Sequence, residues 1–235
     1  MISGFVIAVV LVVIKGIGEQ AYSGSNSGLG LVVLVAIFFL AIAIHELGHL
    51  VAGWALGFHF RAISVGPFAL CLEHGVLKIR LRRDIEALGY TGMDADRVSR
   101  MRRRMLICVA AGPAANFLSI PLTILLLDYL FPGFGGARAA SSGTQFVVLS
   151  FLLGAVNLVP FGSRRLSSDG ARIAMLLSSR ERARRWISAR AIASQHNRGV
   201  RPRLWRRTWL KAACSVEDVS ADEFFEQLAC IYICE

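Results

Sequence analysis

With 235 residues, 55% of them hydrophobic and only 18% charged, the chain is too apolar for an ordinary soluble domain, whose charged fraction is about a quarter. The formal net charge of +10 sits mostly on arginines beside apolar runs, and no nucleic-acid recognition motif accompanies it. The expected partner is therefore the lipid bilayer, with no nucleic acid. Cys71, Cys108, Cys214, Cys230 and Cys234 form no CxxC pair, which argues against a disulfide framework and against a second zinc site.

Residues 2–18 are apolar apart from Ser3 and Lys15 and lack a basic n-region, so they read as a retained first membrane helix; a polar Gly/Ser linker follows to Gly28. A second helix begins near Leu29, runs through Ile44 without a charge and continues to about Gly57. From Phe58 to Leu81 apolar and polar residues alternate, with turn signals at Gly66-Pro67 and Glu73-His74-Gly75, which predicts a small β-hairpin or three-strand insertion. Residues 82–104 are polar and basic; Gly89-Tyr90-Thr91-Gly92 reads as loop, with Asp94 or Asp96 as a helix cap. Met105–Leu127 is a third span containing Gly112-Pro113-Ala114-Ala115-Asn116, and residues 143–162 are a fourth, ending in Asn157-Leu158-Val159-Pro160. A short apolar helix follows Asp169-Gly170. Residues 180–211 are dense in arginine with Trp186, Trp205 and Trp209, before an acidic stretch at 217–227 and an apolar end.

These elements predict an all-α polytopic membrane protein of about four transmembrane helices. Residues 1–28 form the first helix and linker, 29–178 a three-helix core with the hairpin insertion at 58–81, and 179–235 a basic helical C-terminal tail. The arginine-rich loops place both termini in the cytoplasm by the positive-inside rule. His45, Asn116, Asn157 and Asp169 then converge near one membrane face.

Three ionisable groups within His45-Glu46-Leu47-Gly48-His49 interrupt an apolar run, and such groups at membrane depth are costly and usually functional. Positions i and i+4 share a helix face, so His45 and His49 present two neutral imidazoles to one zinc ion, with Glu46 alongside as a general base. A third ligand is required. Residues 52 and 55 are both alanine, so the continuation that would supply a third histidine is absent. Glu73 in the hairpin and Asp169 after the fourth span both remain open.

The segments His45–His49, Gly112–Asn116 and Asn157–Pro160 with Asp169-Gly170 resemble the three signatures of the site-2 protease family of intramembrane zinc metalloproteases, over residues 29–178. The resemblance implies Asp169 as third zinc ligand and a water activated by Glu46. It also implies that Asn116 and Asn157 line the active site, positioning substrate or stabilising an oxyanion. Asp169 follows Asn157 by twelve residues, longer than the commonest family spacing and similar to a variant in some bacterial members. The expectation is an intramembrane zinc endopeptidase of a bacterial cell membrane, cutting a transmembrane protein or peptide in or near its spanning segment. The alternative is a zinc-binding membrane scaffold or maturation factor without peptidase activity, which would have no need of Glu46.

Overall fold

The computed structural model describes residues 27–73, 75–82, 87–95, 100–130, 137–161 and 167–213. The expected first helix within residues 1–28 and the chain end at 217–234 lie outside them. Three long helices, α1 (Ser27–Ala55), α2 (Met101–Leu130) and α3 (Ala137–Leu158), pack around one another. Between α1 and α2 the chain forms β1 (Phe58–Val65), β2 (Phe68–Glu73), β3 (Val76–Leu81) and β4 (Gly89–Ala95). After α3 come α4 (Asp169–Ser178), α5 (Arg180–Asn197), a 3-10 turn at Pro202–Leu204 and α6 (Arg207–Ala213).

This corrects the expected all-α polytopic fold. The insertion is a four-stranded antiparallel sheet in the order β3-β2-β1-β4, larger than the hairpin expected at 58–81. Residues 89–92, expected as loop, belong to β4, whose pairing with β1 from Phe58↔Ala95 to Val65↔Gly89 overrides two glycines that disfavour a strand. Asp94 lies in that strand and caps no helix. Nor are there four described spans. Only Gly30–Ala55 and Met101–Tyr129 are long and apolar enough to cross a membrane among the described residues. The expected span at 143–162 is a helix that stops at Leu158, and its apolar part, Ser142–Leu158, is shorter than the roughly 20 residues that cross a bilayer core.

Close helix contact depends on small residues. A Cβ on Gly48 of α1 would collide with the Ala111 carbonyl and Ala115 of α2. Gly57, at φ +75°, reverses the chain after α1, so β1 returns alongside that helix, and the turn at Gly66 (φ +56°) meets the ring of Phe39. Phe39 precedes Ala55 by 16 residues, about 24 Å of helix, so the sheet lies against the apolar helix along much of its length. The β2–β3 hairpin exposes Phe68, Leu72, Leu77, Ile79 and Leu81 on one face, with Glu73, Lys78 and Arg80 on the other.

Two members of the arginine run at 100–104 terminate helices. Arg104 donates from Nε and Nη2 to the Leu56 carbonyl at 2.9 and 2.6 Å while its guanidinium lies 4.6 Å over the Phe58 ring. Arg102 donates to the Leu176 and Leu177 carbonyls at the end of α4. Around them Phe58, Met101, Met105, Leu176, Ala183 and Ile187 form a core that joins the sheet, α2, α4 and α5. A separate cluster of Ala189, Ile192, Trp205 and Ala213 holds α5 and α6 together.

Candidate metal centre

One turn apart on α1, the His45 and His49 rings meet edge to face with centroids 4.8 Å apart. Asp169, the first residue of α4, completes a triangle with them. Its Oδ2 lies 3.0 Å from His45 Nε2 and 3.3 Å from His49 Nε2, and the two Nε2 atoms are 3.2 Å apart. A tetrahedral zinc with bonds of about 2.0–2.1 Å has ligand-to-ligand edges of about 3.3 Å, so the triangle has the dimensions of one tetrahedral face. His45 and Asp169 are buried and His49 is partly so. Among the described residues this is the only group of three or more metal-ligating side chains, and it could hold a metal ion.

Hydrogen bonding around the imidazoles suits such an ion. His49 Nδ1 donates to the Cys108 carbonyl at 2.8 Å, so in the neutral ring Nε2 carries the lone pair that faces the triangle. Behind His45, the fully buried Asn116 has its amide nitrogen 3.4 Å from Nδ1 and its Oδ1 without a partner. Amide oxygen and nitrogen are assigned from their surroundings. Turning this amide over gives Oδ1 the Nδ1 proton and leaves the His45 Nε2 lone pair facing the triangle as well. Three lone pairs then converge on one point, an arrangement that a cation stabilises. Asn157 lies on the other side of the ring, its Nδ2 3.5 Å from His45 Nε2.

Gly112 makes this possible. A Cβ there would lie 2.8 Å from His45 Nε2 and would overlap the His49 ring, so only glycine lets α2 pass this close to the ligand edge of α1. Asp169 is held from its own side by Ser168, the N-cap of α4. The Ser168 hydroxyl accepts from the Ala171 and Phe161 amides and donates to the Val159 carbonyl at 2.7 Å. The main-chain bond from Ser168 N to the Phe161 carbonyl shuts the same loop, so the twelve-residue interval leaves Asp169 beside the end of α3. Asp169 Oδ2 is the oxygen that faces the two imidazoles. Arg172 Nη1 lies 3.5 Å from the other oxygen, Oδ1.

Glu46 is buried too, and it turns toward β4. Thr91 Oγ1 sits 2.6 Å from its Oε2 and 3.1 Å from its main-chain carbonyl, and a Cβ on Gly89 would overlap its carboxylate. Glu73, the other candidate third ligand, is engaged elsewhere, paired with Arg80 at 2.7 Å and Lys78 at 3.2 Å on the exposed hairpin. Sequence reasoning missed Thr91, Ser168 and Arg172. The signal for the first was present in the two glycines that flank Tyr90-Thr91, since glycine in a strand often marks close backbone approach.

No protein-family model, curated protein or solved structure matches the chain.

Proposed function

We propose that the chain is an intramembrane zinc endopeptidase that hydrolyses a peptide bond in or near a transmembrane segment of a protein or peptide substrate, near the cytoplasmic face. The observation that carries this reading is the His45–His49–Asp169 triangle on a helix apolar enough to span a bilayer, with the buried Glu46 next to His45 in sequence. His45, His49 and Asp169 would hold the zinc. When bound, zinc supplies Lewis acidity, lowering the pKa of a bound water to about 7.

The chain's own residues supply the rest. Glu46 accepts the proton of the attacking water and returns it to the departing amine. The Asn157 amide, on the side of His45 away from Asn116, donates to the substrate carbonyl oxygen as charge develops there. A substrate helix must unwind before its backbone is accessible, because its amides and carbonyls are otherwise paired. The edge of β4 beside Glu46, which has no second strand neighbour among the described residues, presents backbone groups to such an extended segment.

The test is reconstitution of the purified protein with a synthetic membrane-spanning peptide, following cleavage and zinc content together. Glu46→Gln is expected to retain zinc and lose cleavage, and Asp169→Ala to lose both. Full cleavage by Glu46→Gln would overturn the mechanism. A catalytically silent wild type that still binds zinc would favour the scaffold reading. The membrane face is tested by a reporter fused at Arg180, where an extracytoplasmic signal would contradict the orientation.

A further inference from the structure

The arginine-rich C-terminal helices lie outside the metal triangle and the proposed chemistry, yet they grip the strand that touches Glu46. Among the described residues β4 is an edge strand, bonded only to β1, so half of its backbone groups have no ladder partner there and nothing within the described sheet fixes its outer side. Its pairing with β1 is also interrupted at Phe60/Ala62, next to Met93. Left to the sheet alone, such a strand frays readily.

Helix α5 supplies the missing support at the end of the strand. Ser194 Oγ donates to the Ala95 carbonyl at 3.1 Å, and Asn197 Nδ2 donates to Asp94 Oδ1 at 3.1 Å. Met93 and Ala95 pack against the apolar core that Ala183 and Ile187 of α5 share with Phe58, Met101 and Met105. At the other end of the same strand, Gly89 and Thr91 press on Glu46, and the single Thr91 hydroxyl proton serves Oε2 at 2.6 Å. Gly89 backs Oε1 while Thr91 holds Oε2, so β4 fixes both oxygens of the carboxylate.

We propose that Thr91 is the positioning residue for Glu46, and that the arginine-rich C-terminal helices hold it in place by clamping the far end of β4 through Ser194 and Asn197. The role given to Glu46 rests on the peptidase reading; the clamp does not. A ligand or partner that shifts α5 would therefore change turnover without touching the metal.

Two measurements on the full-length protein test this. Hydrogen exchange compares wild type with the Ser194→Ala/Asn197→Ala double variant. Faster exchange is expected in the peptides covering residues 89–95 and 41–50, with zinc content unchanged. Unchanged exchange in β4 would overturn the clamp whether or not the protein cleaves anything. The second measurement is cleavage of the synthetic membrane-spanning peptide in phosphatidylglycerol-containing liposomes. Thr91→Val is expected to lower kcat by about 10- to 100-fold, the effect of losing one hydrogen bond to a charged group, at unaltered KM and zinc affinity, and Thr91→Ser is expected to restore it. Adding the Ser194/Asn197 changes to Thr91→Val should cost no further activity, since they act through the same hydroxyl. Equal kcat for wild type and Thr91→Val would refute the positioning role, whereas no cleavage by wild type would refute the peptidase reading and leave the exchange result to decide the clamp.

Discussion

Gly112→Ala is the smallest change that should abolish the metal centre. The added Cβ would stand 2.8 Å from His45 Nε2. An ordinary carbon–nitrogen contact is nearer 3.5 Å, so relieving this contact alone takes about 0.7 Å and relieving the closer overlap with the His49 ring takes more, whether α1 and α2 part or the imidazoles swing. Zinc sites tolerate ligand displacements of about 0.2 Å, and disturbing residues that only support the ligands already costs 10- to 100-fold in affinity. We expect zinc affinity to fall by at least 100-fold, or about 2.7 kcal/mol. Alanine favours a helix over glycine by about 0.5–1 kcal/mol, so the loss cannot be attributed to helix propensity. The assay is competition with a chromophoric chelator on detergent-purified protein. Gly154→Ala is the control, because the nearest atoms its Cβ would meet belong to the Phe117 ring, at 3.1 Å and beyond, and not to a member of the triangle. An affinity within twofold of wild type for Gly112→Ala would refute the geometry of the site.

Three further substitutions separate what holds the ligands from what surrounds them. Ser168→Ala removes the cap that ties α4 to Val159 and Phe161, so it should cost about 0.5–2 kcal/mol in thermal or denaturant unfolding and weaken zinc several-fold as Asp169 loosens. The two asparagines should behave oppositely in zinc titration and peptide cleavage. Asn116→Ala, which strips His45 Nδ1 of its partner, is expected to weaken zinc by about 10- to 100-fold, whereas Asn157→Ala should keep zinc and lose turnover. For Glu73, the hydrogen bond from Lys78, together with the charge of Arg80, holds the exposed carboxyl below its ordinary value of 4.5. A depressed folded pKa contributes stability above the unfolded value and loses it as pH falls through the folded one. Glu73→Gln should therefore speed hydrogen exchange in the β2–β3 hairpin slightly at neutral pH, and the difference should vanish in acid.

The candidate site was legible where residue type and helical period coincide. His45 and His49 are one turn apart in an apolar run, so their shared face follows from the sequence alone. Gly112 and Asn116 were legible as a motif but not as mechanisms, since the need for glycine comes from His45 and His49 on another helix. Strand β4 was not legible, because Gly-Tyr-Thr-Gly carries no alternation, and β1, some thirty residues earlier, is what makes it a strand. The count of four spans failed for two reasons. Residues 1–26 lie outside the described chain, and α3 begins with polar residues that leave its apolar stretch too short. Arginine content has a second cause in the structure. Arg102 and Arg104 are spent on the carbonyls that end α4 and α1, so they report helix termini as much as membrane orientation.

Charge balance favours Asp169 over Glu73 as the third ligand of a metal bound here. Asp169 and Glu46 are 5% and 6% exposed, and in the form that would ligate a metal two carboxylates lie among two neutral imidazoles and an uncharged amide. Such a group carries a formal charge of −2 in surroundings where each uncompensated charge costs several kcal/mol. Arg172 offsets part of it at 3.5 Å, from a side chain still 34% exposed. A divalent cation held by the triangle brings the buried sum to zero. Glu73 already has Lys78 and Arg80 and would have to abandon both to join the site. The excess negative charge is therefore at the junction of α1 and α4, where the lone pairs converge, and metal binding there should contribute to folding stability as well as to chemistry.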